Sequence, residues 1–246
     1  MDGQLTMAAD GKQGKQGKQG NEGKVGAARF SGSGMTSDRT RARMIDALRQ
    51  RGIKNEKVLA VMADVPRHVF VEEALQERAY ELDKALPIGF GQTISTPEIV
   101  AIMTGLLCER PQGIPKKVLE IGTGCGYQTA ILGKLAKDVY TVERIAPLMD
   151  KARRTLRDLR YYNVIFKHAD GHFGYADAGP YDAIIMTAAA SHVPQELTEQ
   201  LAVGGRMILP VGVEQQQLYV IDRTETEFLQ RVVHDVRFVP LVSGIV

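Results

Sequence analysis

The 246 residues of the chain suffice for one large domain or two small ones with a substantial core. A composition of 44 % hydrophobic and 24 % charged residues is ordinary for a soluble globular protein, and no apolar run approaches the roughly 18 residues of a membrane helix. The net charge of +2 sits entirely in residues 1–34, where five cations face three acids, so residues 35–246 are neutral and general nucleic-acid binding is disfavoured.

Two cysteines, Cys108 and Cys125, are too few for a disulfide framework, and the five histidines lack metal-ligand spacing, so no metal is expected. The polar N-terminus does not read as a secretory signal, which makes the cytoplasm the expected location, with no membrane contact.

In chain order, residues 1–34 carry the literal repeat "GKQGKQGKQG". Glycine and polar residues bury too little apolar surface to offset ordering, so this stretch is expected to be a disordered tail; a weak polyanion-binding arm is the alternative. A single domain is expected over residues 35–246, opening with a helical extension. Met44, Ile45 and Leu48 share one helical face that Gly52 closes. Asn55 caps a second helix with Val58, Val61, Met62 and Val65 inward, ended by Pro66. "HVFVEEALQERAYE" (68–81) predicts a short helix with extended flanks. Pro97 suits the first position of a helix running to Leu107.

From residue 117 the texture changes. "KVLEI", "VYTV", "VIFKH", "DAIIM" and "GRMILPV" are short, β-branched-rich strand candidates, with a helix over 146–160 striped by Leu148, Ala152, Leu156 and Leu159. Alternation of strand and helix predicts an α/β fold with a mainly parallel sheet covered on both faces. The segment from Gln217 onward reads as strand, turn, strand, adding antiparallel strands near the C-terminus.

"VLEIGTGCGYQTAIL" (118–132) is a strand, a glycine turn and a helix start. Gly122, Gly124 and Gly126 let backbone amides approach a ligand without obstruction by Cβ. Glu143, 21 residues after Gly122, closes the next strand candidate, where an acid can accept hydrogen bonds from both ribose hydroxyls of a nucleoside. A dinucleotide fingerprint would need glycine where the chain has Tyr127, which argues against an NAD-dependent dehydrogenase. The G-x-G-x-G form after an acid is commoner in S-adenosylmethionine enzymes. Asp170, before Gly171 at a third strand end, could receive an adenine amino group or simply start a turn. Cys125 reads as a small spacer, with a reactive thiol as the alternative.

Upstream lies "GFGQTISTP" (89–97), with Gln92, Thr93 and Ser95 between permissive glycines and a helix-starting proline. Together with "VPRHVFV", "LPIGFGQTIS", "VERI", "YDAIIMTAAA", "VPQEL", "LAVGGRMILPVG" and "VRFVPLVSG", in that order over residues 36–244, it resembles the protein-L-isoaspartate (D-aspartate) O-methyltransferase family. "GQTIS" with "VRFVPL" is the narrowest part of the match. The chain departs from the family in its long tail and in an extra residue near "AYELDKALPIG".

The resemblance implies a Rossmann-like class I methyltransferase sheet with S-adenosyl-L-methionine as methyl donor. The acceptors it implies are isoaspartyl-containing proteins and peptides, with no nucleic acid, and the expected state is a monomer. It makes Ser95 the catalytic residue. Gln92, Thr93, Gly122, Gly124, Glu143, Asp170 and Gly171 become the cofactor-binding set. Because an acceptor carboxylate with pKa of about 4 is already ionised, Ser95 is expected to orient it and not to act as a nucleophile. "VRFVPLVSG" is read either as an extended partner for the substrate backbone or as an ordinary sheet strand. A methyltransferase for small molecules or nucleic acid, and a non-catalytic cofactor-binding protein, remain as rival readings.

Overall fold

The computed structural model describes Met1 and residues 32–246; the expected low-complexity tail lies, from residue 2 to 31, outside the described residues. Order is already present in a single 3₁₀ turn, Gly34–Thr36, which leads into helix α1 (Asp38–Gln50). Ser37 caps that helix by accepting the Thr40 amide at 3.3 Å, a contact worth about 1 kcal/mol. Met44, Ile45 and Leu48 are buried, as their spacing predicts. Gly52, at φ 90°, supplies the left-handed residue that ends the helix. Helix α2 (Glu56–Asp64) starts with the Asn55 side chain accepting the Val58 amide and buries Val58, Leu59 and Met62.

The stretch after Pro66 holds two 3₁₀ segments, Arg67–Phe70 and Glu73–Arg78, where the sequence predicts one short helix. Val71 and Glu72 are extended between them. That break lets Phe70 and Tyr80 both point into the core, which a continuous helix would not allow.

A two-stranded antiparallel ribbon follows, β1 (Leu86–Gly89) with β2 (Gln92–Ile94). Its turn residues Phe90 and Gly91 have φ of 54° and 69°, the left-handed pair that a tight hairpin matched to strand twist requires. Helix α3 (Pro97–Cys108) starts directly behind it, with Thr96 accepting the Ile99 amide and Pro97 at the first position.

The main sheet has seven strands in the order β5-β4-β3-β6-β7-β8-β9. Its parallel part is β3 (Lys117–Ile121), β4 (Asp138–Glu143), β5 (Val164–His168), β6 (Tyr181–Met186) and β7 (Leu201–Val211). The strands β8 (Gln216–Arg223) and β9 (Phe228–Val236) add an antiparallel meander, as the C-terminal pattern predicts. Helices α4 (Tyr127–Leu135) and α5 (Ala146–Asp158) join the first three parallel strands, and the short α6 (Gln195–Thr198) precedes β7.

Alternation along the strands divides the core into layers. Val118, Val139, Ala183 and Ile208 pack with Met103 and Leu107 of α3, while Leu119, Ile184, Met186 and Met207 pack on the opposite face with Leu197 and Leu201. A third cluster joins α1, α2 and the hairpin, through Leu48, Met62 and Ile94, to Tyr127 and Ile131 of α4. The helical extension is thereby fused to the sheet domain, and the hairpin is held at its edge.

Strands are added on one side of β3 by β4 and β5 and on the other by β6 and β7. The direction of building reverses at β3, and in open α/β sheets a ligand crevice opens at such a point, beyond the carboxyl ends of the strands.

Candidate active site

The crevice is built from the ends of β3, β4 and β6 on one side and from the hairpin strand β2 on the other. Beyond Ile121 the chain must turn from strand to helix within a few residues. Gly122, Gly124 and Gly126 do this with φ of 94°, 54° and 90°, each a conformation that costs an L residue about 1–2 kcal/mol. Space is also short, since a Cβ on Gly122 would stand 2.4 Å from Thr187 Oγ1. That hydroxyl donates to the Gly122 carbonyl at 2.7 Å and so ties the glycine loop to the end of β6.

Glu143 ends β4 with its carboxylate almost wholly buried. One oxygen accepts the Gly124 amide at 2.8 Å and the other accepts the Ile145 amide at 2.9 Å. Two backbone amides thus lock the carboxylate in place, and each oxygen keeps a further lone pair for a ligand hydroxyl. Facing this loop, Gln92, Thr93, Ile94 and Ser95 line the same cleft, with Ile94 buried as the anchor. The Thr93 and Ser95 side chains make no hydrogen bond within the described residues, so their hydroxyls are available to a ligand.

Of the residues proposed from the sequence, Gln92, Thr93, Ser95, Gly122, Gly124, Glu143 and Gly171 converge on this one cleft. Asp170 borders a neighbouring groove instead. Its carboxylate accepts the His172 amide at 2.9 Å, meets His172 Nδ1 at 2.7 Å and accepts the Gly244 amide at 2.6 Å. Burial by itself would raise its pKa; the Gly244 and His172 contacts outweigh that and hold the carboxyl below the usual range. Gly171, one residue on, does face the cleft, and a Cβ there would meet Ile121 Cγ2 at 2.6 Å. Cys125 lines the cleft, but burial pushes its thiol up to about 11, so it is a neutral small spacer and no thiolate nucleophile.

The C-terminal segment is not an ordinary sheet strand over most of its length. β9 ends at Val236, and residues 239–241 then leave the meander and bridge to Ala189, with Ala189 N–H donating to Val239 and Leu241 N–H to Ala189. Val239, Pro240, Leu241 and Val242 form an apolar wall of the cleft. Beyond them the chain is fastened across the ends of β4 and β5. Arg144 Nε donates to the Gly244 carbonyl at 2.9 Å, and the Val246 and Arg144–Ala146 backbones exchange hydrogen bonds at 2.8 Å. Thr187 and this roof line the cleft without having been named as site residues from the sequence. "VRFVPL" suggested a partner for the substrate backbone or a sheet strand, and Thr187 sits inside "YDAIIMTAAA" with no pattern of its own.

One acid next to the site has no ligand role in the sequence reading. Glu120, in β3, is fully buried and accepts Thr129 Oγ1 at 2.5 Å and Thr141 Oγ1 at 2.6 Å on the same oxygen, leaving the other without a partner. Burial pushes its pKa up to about 8, against the opposing pull of the two hydroxyls. The side chain is therefore largely protonated at neutral pH.

These residues fit S-adenosylmethionine. The glycine turn leaves room where a Cβ would obstruct, Glu143 has lone pairs for a ribose diol, and no cluster of metal-ligating side chains occurs among the described residues. A sheet reversing at β3, a glycine loop at its end and an acid locked at the end of the next strand define an S-adenosylmethionine-dependent methyltransferase of the Rossmann-like class.

Comparison with known proteins narrows the class. The family described as protein-L-isoaspartate(D-aspartate) O-methyltransferase matches residues 39–245. The protein-L-isoaspartate O-methyltransferase of Methylobacillus flagellatus is 58 % identical over 222 residues, covering 89 % of this chain and 98 % of that one. The protein of the same name from Dechloromonas aromatica is 57 % identical, covering 87 % and 98 %. Among solved structures, one described as a protein-L-isoaspartate O-methyltransferase superposes with a TM-score of 0.72 at 25 % identity, covering 81 % of this chain and 65 % of that one. Another, the Plasmodium falciparum protein in complex with S-adenosyl-L-homocysteine, gives 0.70 at 25 % identity and covers 82 % and 98 %. The chain belongs to the protein-L-isoaspartate (D-aspartate) O-methyltransferase family.

Proposed function

We propose that the chain transfers a methyl group from S-adenosylmethionine to the α-carboxylate of L-isoaspartyl residues, and of D-aspartyl residues, in damaged proteins and peptides. The ester then starts repair through a succinimide that closes without further help from the site. The observation that carries this reading is the meeting, in one cleft, of free hydroxyls from "GQTIS" with the glycine loop and the locked Glu143.

The chemistry asks little proton handling of the protein. A carboxylate of pKa about 4 arrives ionised, so no general base is needed. The bound donor supplies an electrophilic methyl carbon. Ser95, with Thr93 beside it, donates hydrogen bonds that orient one carboxylate oxygen toward that carbon. Glu143 holds the ribose, Gln92 and the backbone of Gly122 and Gly124 border the remainder of the donor, and Gly171 gives clearance at the base end. Ile88, Ile94, Pro240 and Leu241 present apolar surface that keeps competing water from the acceptor oxygen. Asp170 serves this site through the Gly244 amide, as a latch for the roof.

The reading is tested by offering labelled methyl donor to an isoaspartyl peptide, with its aspartyl twin and an RNA as controls. Base-labile label in the isoaspartyl peptide alone is the expected result. Label in the RNA, or equal label in both peptides, overturns the reading. Cofactor binding with no label anywhere would favour the non-catalytic alternative.

A further inference from the structure

Arg67 lies beneath the floor of the cleft and is fully buried. Its Nε donates to the Ala79 carbonyl at 2.7 Å, one Nη donates to the Ser95 carbonyl at 2.6 Å, and the other Nη has no partner. The guanidinium carbon stands 4.7 Å from the centre of the Tyr127 ring. Among the described residues it forms no ion pair with a carboxylate. Burial is the largest influence on it and works against its charge, lowering its pKa, while the groups that favour that charge, Tyr127, Cys125 and Tyr80, are themselves neutral at ordinary pH. A guanidinium does not shed its proton under such conditions. A whole positive charge is therefore held in a low-dielectric interior, solvated by two carbonyls and a ring face, without a counter-ion.

Both groups it touches on the cleft side, Ser95 and Tyr127, line the cleft. The opposite side carries Glu143, locked by two amides, with Arg144 beside it in the cleft wall, its Nε donating to the Gly244 carbonyl. A buried positive charge thus stands behind Ser95, and a locked carboxylate stands beside the glycine loop.

We infer that Arg67 is a positioning residue for the acceptor: it fixes Ser95 through its carbonyl and supplies a buried positive charge behind that residue, for which the acceptor carboxylate is the missing counter-ion. This rests on the proposed methyl transfer. The charges of Arg67 and Glu143 sort the two reactants, with the anionic acceptor favoured at the Ser95 end and the cationic sulfonium at the Glu143 end. On transfer the carboxylate oxygen forms a bond to the methyl carbon while the carbon–sulfur bond breaks and its electron pair stays on sulfur. Both charges vanish, so the neutral ester loses the attraction that placed its precursor and leaves readily. Low dielectric makes such a buried charge effective at a few ångströms.

The test compares wild type, Arg67→Lys and Arg67→Met in steady-state methylation of an isoaspartyl peptide. Titration calorimetry with S-adenosylmethionine and with neutral S-adenosylhomocysteine, without peptide, completes it. In Arg67→Met the peptide KM is expected to rise about tenfold or more. The affinity ratio of sulfonium to thioether is expected to move about twofold or more toward the sulfonium, since a nearby cation has been removed. Arg67→Lys should keep the wild-type ratio and recover part of the KM. A merely structural role would leave that ratio unchanged.

A folded Met variant with wild-type KM or wild-type ratio overturns the inference, and so does a Lys variant that follows the Met variant. If the Met variant does not fold, the wild-type complex with S-adenosylhomocysteine is titrated with the isoaspartyl peptide and its α-carboxamide twin. About tenfold tighter binding of the acid is expected, and equal binding overturns the inference. A wild type that fails to methylate the peptide speaks against the reaction itself. An active wild type with indifferent Arg67 variants speaks against the arginine alone.

Discussion

The roles proposed for Ser95 and Glu143 divide the work of the cleft, and the division can be measured. Ser95→Ala removes the hydroxyl proposed to orient an already ionised acceptor, a hydrogen bond worth about 1–1.5 kcal/mol. Its kcat on an isoaspartyl peptide is expected to fall about tenfold, with S-adenosylhomocysteine affinity near that of wild type. A large loss of cofactor affinity in place of kcat would contradict the role. Glu143→Ala should do the reverse, weakening cofactor binding by about 1–3 kcal/mol in calorimetry. It also frees the Gly124 and Ile145 amides, so unchanged affinity would remove the ribose role altogether. Glycine spacing and an acid at the next strand end single out Glu143 from local turn geometry, whereas Ser95 is singled out by the family resemblance of "GQTIS". Asp170 shows what such reasoning leaves out. As a strand-end acid it reads as a candidate ligand group, and the sequence does not show that the Gly244 amide, 74 positions away, reaches its second oxygen.

The hairpin carries the residues proposed to set the acceptor side, and its turn carries a cost. Phe90 holds a left-handed φ of 54° while its ring is 62 % exposed, so nothing in the core repays the strain. Phe90→Asn, a residue at ease in that conformation, is expected to raise stability by about 0.5–1 kcal/mol, or roughly 1–4 °C in Tm. Calorimetric melts of both proteins decide this, and an unchanged or lowered Tm would show that the ring contributes what the turn costs. The helices α1 and α5 follow from the sequence because one face must be buried, and the strands from β3 to β7 because short apolar, β-branched runs between helices mark a sheet covered on both faces. The segment after Pro66 does not, because its inward residues serve two different neighbours and break the period at Val71 and Glu72.

At the scale of the whole molecule, the buried Glu120 couples the site to folding. Its folded pKa of about 8 stands above an ordinary value of 4.5, so the folded chain holds a proton that the unfolded chain releases. The stabilisation is complete below the unfolded value and is lost as pH rises toward and through 8. Stability is therefore expected to decline across that window and to level off above it. Glu120→Gln keeps the shape without the titration, so denaturant melts at about pH 6 and about pH 9 should differ less in the variant than in wild type. Equal differences would place the proton elsewhere. The roof formed by residues 239–246 acts at the same scale, tying the ends of β4, β5 and β6 to the last residues of the chain.

Composition, periodicity and glycine spacing by themselves pointed to an α/β sheet with a glycine loop and an acid at the next strand end, because strand–helix alternation and the strand–turn–helix unit are written in short local runs. The same local patterns marked "GFGQTISTP" as a polar run between permissive glycines. Tertiary structure alone decided what that run faces, what lies beneath it and what closes over it. Those answers require Ser95, Glu143 and Leu241, distant in sequence, to line one cleft at the strand-order reversal, with Arg67 bonded to Ser95 behind it. No local signal encodes such a meeting, since it arises only when the sheet is built outward from β3 in both directions and the C-terminus returns across its edge.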